Sequence, residues 1–291
     1  MRLASRAYKS ALVLLSIPII LADFFRQQTG REYGVGLGAK VKLLLAARKN
    51  ERKITGASSF IEHLVMATHI LRVPKSLKGS VVECGCYKGR STASLSLVCK
   101  LCDRDLEVFD SFQGLPEPAA DDKVHRRLNC PELATYSAGA FCGTLKEVQE
   151  NVRRFGDISV CNFHPGYFDK TTPNFDRPCV FVFVDADLRE SVEAVVRNLW
   201  PRLLDGCSFF THEAEQLEIA SLFYDECWWK NQFSCDAPGL VGAGNGLGLV
   251  PARGGYSSPI GYTTKNPDHS AFAINIQTDV QIPSQARIEK D

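Results

Sequence analysis

The stretch SVVECGCYKGRSTASLSL (residues 80–97) decides the fold, because it changes within a few residues from a strand pattern to a helix pattern. Two valines precede Glu83, and Gly85 and Gly89 follow before a run of small residues. Glycine lets the backbone approach a ligand closely where a side chain would block it. The spacing is G-x-x-x-G, not the G-x-G-x-x-G of dinucleotide-binding turns. The stretch predicts a strand, a tight turn and a helix, and it leaves open whether the turn binds a cofactor.

Further apolar runs alternate with amphipathic segments along the chain, which predicts an α/β fold with a doubly wound, mainly parallel sheet. In such a sheet, ligands bind beyond the carboxyl ends of the strands. The predicted strands are 80–84, 106–110, 158–163, 179–185 and 207–213, with a last one at 271–275. The predicted helices are 56–74, a helix ending near 101, 143–156 and 191–200.

Polar residues follow most of these strands, and together they form the predicted active site: Glu83, Gly85, Asp110, His164, Gly166, Asp185, His212 and Glu213. A carboxylate at position 83 would repel a pyrophosphate, whereas it suits the cationic methionyl part of S-adenosylmethionine (SAM). Asp110 could accept hydrogen bonds from the ribose of either NAD or SAM, so it does not discriminate between them.

Composition narrows the class of protein. A chain of 291 residues fits one large α/β domain with extensions. A formal net charge of +1, with no basic stripe interleaved with aromatic residues, argues against nucleic-acid binding. Eleven cysteines, several in apolar runs, favour a reducing compartment, and we therefore expect a cytoplasmic protein.

The N-terminus carries Arg2, Arg6 and Lys9 before an apolar run at 11–22. That run is shorter than the roughly 20 residues of a spanning helix. Two interpretations remain open: a helix that packs on the body or on another subunit of a homo-oligomer, or peripheral membrane contact through residues 1–26. The predicted organisation is an N-terminal helical extension (1–55), the main domain (56–275) and a mobile tail (276–291).

Five segments in the same order make the sequence similar to a known family. They are VVECGCYKGRSTASL, LEVFDSFQGLPEP, FHPGYFDKTTP, FVFVDADLRESVEAVVRNLWPRLLDGC and VGAGNGLGL. They resemble the macrocin O-methyltransferase (TylF/MycF-like) family of class I SAM-dependent methyltransferases, over about residues 56–250. The resemblance implies a Rossmann-like fold, SAM as cofactor and a small-molecule hydroxyl as the methyl acceptor.

The resemblance also implies roles for individual residues. The methionyl part of SAM would be framed by Glu83, Gly85 and Gly89, the ribose by Asp110 and Ser111, and the adenine by Gly166, Tyr167 and Phe168. Asp185 matches an active-site aspartate that is a metal ligand in metal-dependent members. The family usually has two adjacent aspartates and a tyrosine after the next strand, and here the matching residues are His212, Glu213 and Ala214.

This departure bears on the chemistry. A divalent cation lowers the pKa of a hydroxyl that it binds, and Asp185, His212 and Glu213 are the predicted ligands. Oxygen ligands suit magnesium, whereas an imidazole shifts the preference toward a transition metal such as manganese, iron or zinc. Alternatively, His212 is a general base that works with Asp185 and without a metal.

The leading hypothesis is a SAM-dependent O-methyltransferase that acts on a hydroxyl of a sugar or another small metabolite. One alternative is a catalytically inactive methyltransferase-like protein that serves in binding or assembly, and its motivation is the pair His212 and Glu213. The other is a nicotinamide-dependent oxidoreductase, which the glycine spacing and Glu83 disfavour.

Overall fold

The computed structural model describes residues 17–128, 133–244 and 260–267. The strand predicted at 271–275, the tail at 276–291 and residues 1–16 lie outside the described residues, as does the second half of the glycine-rich segment near 245.

Three helices come first along the described chain: residues 17–25 (α1), Leu37–Lys53 (α2) and Phe60–Arg72 (α3). A capping box begins α3, because the Ser59 side chain accepts from the backbone of Glu62 while the Glu62 carboxylate accepts from the backbone of Ser59. Phe24 and Leu43 belong to the same hydrophobic core as the sheet. The part of the extension that the structure describes, residues 17–55, therefore packs on the body. Among the described helices, none is long and apolar enough to cross a membrane.

The sheet has six strands in the order β5-β2-β1-β6-β7-β8, and only the last of them is antiparallel to its neighbour. Their bounds are Ser80–Cys84 (β1), Leu106–Asp110 (β2), Cys161–Pro165 (β5), Cys179–Val184 (β6), Leu203–Thr211 (β7) and Gly261–Thr264 (β8). A separate antiparallel hairpin pairs Val124–Arg126 (β3) with Leu133–Thr135 (β4). The mainly parallel sheet confirms the predicted fold class.

The remaining helices are Arg90–Cys102 (α4), Leu145–Phe155 (α5), Phe168–Thr171 (α6), Arg189–Leu199 (α7), Leu217–Ala220 (α8) and Glu226–Phe233 (α9). In the sheet, β2 lies on one side of β1, whereas β7 lies on the opposite side of β6. With right-handed crossovers, α4 and α7 therefore cover opposite faces of the sheet. Strand order reverses between β1 and β6, and a ligand crevice is expected at such a reversal.

The centre of the sheet is apolar on both faces. All six residues of β6, CVFVFV, are buried, and Phe181 and Phe183 are fully inaccessible to solvent. Burying one such side chain contributes roughly 2–3 kcal/mol. A central parallel strand is covered by helices on both sides, which is why it lacks the alternation of a half-exposed strand.

Two strand predictions need correction. Residues 158–160, predicted as strand, form a 3-10 turn that the Asp157 side chain caps, and β5 begins only at Cys161. The strand predicted at 207–213 runs from Leu203 to Thr211. His212 and Glu213 therefore lie just beyond the strand, in the turn where side chains can face a ligand.

Candidate active site

A cavity of about 410 Å³ opens at the carboxyl ends of β1, β2 and β6. Seven of the residues predicted for the site line it: Gly85, Asp110, Ser111, Tyr167, Phe168, Asp185 and His212. Five others do not: Glu83, Gly89, His164, Gly166 and Glu213. The cavity therefore gathers residues from segments that are far apart in the sequence.

Gly85 lies where the turns after β1 and β6 touch. Its φ is +90°, and a Cβ at this position would lie 1.8 Å from the backbone oxygen of Asp185. The amide of Asp185 donates to the carbonyl of Cys84 at 2.8 Å, and the amide of Gly85 donates to the carbonyl of Phe109 at 2.8 Å. Only glycine fits here, because both the conformation and the space exclude a side chain.

Asp110 ties the turn after β1 to the turn after β2. One carboxylate oxygen accepts from the amides of Cys86 at 2.7 Å and Tyr87 at 3.3 Å, and the other accepts from the amide of Phe112 at 2.7 Å. Burial raises the pKa of Asp110, and these amides oppose that rise. The carboxylate is held rigidly on the cavity wall.

Glu83 is fully buried beside this turn, and the hydroxyls of Ser91 and Thr92 lie close to its carboxylate. Burial raises the pKa of Glu83 to about 8. An ionised carboxylate is costly in such a place, so Glu83 is expected to hold a proton near neutral pH.

Ser111 lines the cavity, but its hydroxyl is engaged within its own loop. It donates to the carbonyl of Gly114 at 2.7 Å and accepts from the amide of Gln113 at 3.0 Å. The expectation that Ser111 contacts a ribose therefore rests on its position and not on a free hydroxyl.

The described residues 115–128 and 133–140 belong to a loop whose two ends meet, which we call the lid loop. The amide of Leu115 donates to the carbonyl of Ala140 at 2.9 Å, and the amide of Gly139 donates to the carbonyl of Leu115 at 2.9 Å. Gly114 has a φ of +84°, and a Cβ there would lie 2.5 Å from the carbonyl oxygen of Ala140. The loop therefore leaves and rejoins the body at nearly the same point.

The lid loop is fastened to the segment that follows β7. The amide of Leu128 donates to the carbonyl of Glu215 at 2.8 Å, and the Arg126 guanidinium binds the Glu218 carboxylate at 2.8 Å. Buried His125 bridges Asp122 and Gln216 at 2.6 and 2.5 Å. These contacts place the lid loop beside the turn that carries His212 and Glu213.

Three carboxylates converge at the β6 and β7 end of the cavity. Asp185, Asp187 and Glu213 each offer an oxygen, and these oxygens lie within 4.8 Å of one another. Burial and the neighbouring carboxylates of Asp185 and Glu213 raise the pKa of Asp187 well above its usual value. Repulsion among like charges would be relieved by a bound cation, so the group fits a divalent metal with oxygen ligands.

Glu213 also fixes the turn after β6. One of its oxygens accepts from the amides of Ala186 at 3.0 Å and Asp187 at 3.2 Å, and the other accepts from the Thr211 hydroxyl at 2.5 Å. Burial, followed by the charge of Asp185, raises the pKa of Glu213 to about 7. The Asp187 backbone it holds has a φ of +60°, which is unusual for a residue other than glycine.

His212 is not one of these three ligands. Its Nδ1 lies 3.4 Å from Asp185, and its Nε2 lies 3.6 Å from Glu62 at the start of α3. Although burial alone would lower it, the two flanking carboxylates raise the pKa of His212 well above its usual value. The observed acidic group therefore differs from the predicted metal set in one member: Asp187 stands where His212 was expected.

Two residues of this site, Asp187 and Glu62, were not predicted from the sequence. Asp187 had a signal, because it is the second aspartate of the D-x-D segment after β6. Glu62 had none, since it lies in a helix about 150 residues before its partner His212 and reads as an ordinary capping residue.

Comparison with known proteins finds similarity over the central part of the chain. Residues 82–214 match a family model described as a methyltransferase domain. One curated relative is 8-demethyl-8-(2,3-dimethoxy-alpha-L-rhamnosyl)-tetracenomycin-C 4'-O-methyltransferase from Streptomyces olivaceus, 33% identical over 134 residues, covering 44% of this chain and 50% of the relative. Another is mycinamicin III 3''-O-methyltransferase from Micromonospora griseorubida, 30% identical over 141 residues, covering 44% and 52%. The chain spans about half the length of the curated relatives it matches.

Solved structures share the fold at low sequence identity. The O-methyltransferase NovP has a TM-score of 0.58 at 18% identity, with 78% of this chain and 99% of that chain covered. The calicheamicin methyltransferase CalS11 has a TM-score of 0.52 at 15% identity, with 77% and 92% covered. With its six-stranded sheet and flanking helices, the protein has the fold of the class I methyltransferases, and residues 82–214 are similar to a methyltransferase domain.

Proposed function

We propose that this protein is a SAM-dependent O-methyltransferase of the macrocin (TylF/MycF-like) kind, which methylates a hydroxyl of a sugar or another small metabolite. The observation that carries the proposal is that the glycine turn after β1 and the carboxylates after β6 meet at one cavity. Gly85 and Asp185 are in contact there. A methyl donor at one end and an acceptor hydroxyl at the other would be neighbours, which an in-line displacement requires.

The relatives support this reaction class. Both curated relatives named above are, by their names, O-methyltransferases, and the name of the first includes a rhamnosyl group. They share 30–33% of residues with this chain over the matched stretch. A deoxysugar hydroxyl is therefore the acceptor that we propose first.

The carboxylates of Asp185, Asp187 and Glu213 would hold a divalent cation. An all-oxygen donor set of this kind suits magnesium or manganese, and the case for a softer metal weakens because His212 lies outside the group. When bound, the cation would lower the pKa of the acceptor hydroxyl and orient it.

Asp187 is the residue we assign to the acceptor proton. Its carboxylate lines the cavity beside Asp185, where it can accept a proton from the hydroxyl of a bound acceptor. In the reaction, the bond from the sulfonium to the methyl carbon breaks, the bond from the acceptor oxygen to that carbon forms, and the hydroxyl proton passes to Asp187. His212 lies between the carboxylates of Asp185 and Glu62, which raise its pKa, so we assign it to balancing their negative charge.

Calorimetry with S-adenosylhomocysteine and, separately, with NAD tests the cofactor. We expect affinity in the micromolar range for the first, an order-of-magnitude figure, and no heat from NAD. Binding of NAD alone would make the protein an oxidoreductase and overturn the proposal.

Activity is tested by the release of S-adenosylhomocysteine from SAM, with a panel of α-L-rhamnosides and phenols as acceptors and with magnesium, manganese or a chelator present. We expect turnover on at least one rhamnoside that a chelator abolishes. SAM binding without turnover on any acceptor would support the alternative of an inactive methyltransferase-like protein.

A further inference from the structure

The exposed side of α2 combines charge and apolar surface in a way that the active site does not use. Five basic residues point outward from it: Lys42, Arg48, Lys49, Arg52 and Lys53. Three large apolar side chains are exposed among them, Leu37 by 67%, Val41 by 39% and Leu45 by 59%. We call these eight residues the α2 basic face.

These residues share one side of the helix. At about 100° per residue, the exposed positions from 37 to 53 fall within an arc of roughly 160°. The opposite side is buried, and it includes Leu43, Ala47 and Asn50. Asn50 donates to the Ser94 hydroxyl of α4 at 3.1 Å, which fixes the rotation of α2 on the body. The outward direction of the basic face is therefore set by packing.

Charge on this face has one sign. Glu51, the only acidic residue of α2, lies at the edge of the arc, where it is half-buried and accepts from the amide of Phe60 at 3.3 Å. The positive surface continues onto α5: the Lys49 ammonium and the Arg154 guanidinium lie 5.5 and 5.1 Å from the centre of the Phe155 ring. A net charge of +1 for the whole chain makes this concentration local and not a property of the protein in general.

We propose that the α2 basic face docks on an anionic lipid bilayer, with α2 lying in the plane of the surface. A helix of this kind inserts its apolar side chains at the boundary between headgroups and acyl chains while lysine and arginine contact anionic headgroups. Each basic residue near such a surface contributes on the order of 1 kcal/mol, which is about a fivefold change in binding. The site is separate from the proposed methyl transfer and does not depend on it.

Two other occupants fit the face less well. A second copy placed symmetrically against it would bring the five basic residues of each chain together, and like charges repel. A nucleic acid would match the charge, but it would leave Leu37 and Leu45 exposed to water with no aromatic side chain on the face for a base to stack on. A lipid surface satisfies both the charge and the apolar side chains.

Co-sedimentation of the full-length protein with vesicles tests the proposal. We expect binding to vesicles that contain phosphatidylglycerol, much weaker binding to pure phosphatidylcholine, and a loss of binding as salt is raised. Equal binding to both kinds of vesicle, or to neither, would overturn the proposal.

The variant Lys42→Gln/Lys49→Gln/Lys53→Gln should lower the partition coefficient on the order of a hundredfold. A matched control, Lys123→Gln/Lys170→Gln/Lys230→Gln, removes the same charge from exposed lysines on other faces, and it should bind nearly as the parent does. Circular dichroism and melting temperature establish that each variant is folded.

An apolar variant separates docking from simple charge attraction. Leu37→Gln/Leu45→Gln should reduce binding roughly tenfold or more, whereas Leu128→Gln/Leu133→Gln, at other exposed leucines, should not. If binding survives all α2 variants, the membrane contact lies elsewhere, for example in residues 1–26, and the proposal is wrong. The proposal would also be overturned if the same variants dissociated a dimer in solution, or if the protein bound RNA more strongly than vesicles.

Discussion

At the β1 and β2 end of the cavity, the structure depends on close backbone packing and on hydrogen bonds to backbone amides. At the β6 and β7 end, it depends on the ionisation of neighbouring carboxylates. Gly85 and Asp110 act through a close approach and through hydrogen bonds to amides. Asp185, Asp187 and Glu213 repel one another when ionised and depend on protons or a cation. The first end should therefore respond to changes in volume, and the second to changes in charge.

The largest effect is expected from Gly85→Val. The new side chain would meet the Asp185 carbonyl and adopt a positive φ, which together should cost on the order of 3–5 kcal/mol. Chemical denaturation and calorimetry with S-adenosylhomocysteine would show lower stability and lost binding. Gly139→Ala is the matched control, because its φ is +74° but nothing lies within 4 Å of the new Cβ. Equal losses in both variants would mean that φ, and not space, governs the turn.

Asp185→Asn should impair the β6 and β7 end of the cavity while leaving the β1 and β2 end intact. Turnover should fall on the order of 10²–10³-fold, while affinity for S-adenosylhomocysteine stays nearly unchanged. The melting temperature of the metal-free protein should rise, because one member of a repelling group becomes neutral. A chelator-treated sample measured by scanning calorimetry is the check, and a fall in melting temperature would show that repulsion does not dominate there.

The buried carboxyl group of Glu83, at the β1 and β2 end of the cavity, predicts that the free energy of unfolding depends on pH. Its pKa is about 8 in the folded protein and 4.5 ordinarily, so the folded state holds a proton that the unfolded state loses. Stability from this group is complete below pH 4.5 and is lost as pH rises toward 8, by an amount on the order of a few kcal/mol. Glu83→Gln, which resembles the protonated form, should flatten the curve of unfolding free energy against pH. Parallel curves for parent and variant would show that Glu83 ionises freely in the folded state.

The smallest effect is expected from Arg126→Ala, which removes the exposed ion pair between the lid loop and Glu218. The free energy of unfolding should fall by less than about 1 kcal/mol, and any kinetic change should appear in KM for the acceptor before kcat. Arg153→Ala, at another exposed arginine, is the control. A large fall in kcat would mean that the pair positions the charged end of the cavity.

The same contrast explains what the sequence could predict. Gly85 and Asp110 were found because Gly85 directly follows β1 and Asp110 is the last residue of β2, and strand-to-turn transitions are local features of the chain. The order of the parallel strands β1, β2, β5, β6 and β7 was found for the same reason, whereas β3, β4 and β8 were not predicted. Even there the start of β5 was misplaced, because Ile158 and Val160 have strand propensity while the Asp157 cap closes a 3-10 turn.

The charged end was harder to predict because its geometry is not local. His212 was predicted as a metal ligand beside Asp185, and its ring lies between Asp185 and Glu62. No pattern in the sequence links Glu62, a capping residue of α3, to a turn after β7. Asp187 enters the acidic group only because Glu213 holds its backbone amide. The position of a side chain in such a cluster depends on contacts between segments that the sequence does not pair.

The two ends of the lid loop meet, which has a consequence for engineering. Because Leu115 and Ala140 are hydrogen-bonded to each other, the loop could be exchanged as a cassette between related proteins without moving the sheet. The segment after β7 would have to be exchanged together with the loop, because its residues Glu215 and Glu218 bind the loop. Chimeras that transplant both pieces together should inherit the donor's acceptor preference, and those that transplant the loop alone should lose selectivity.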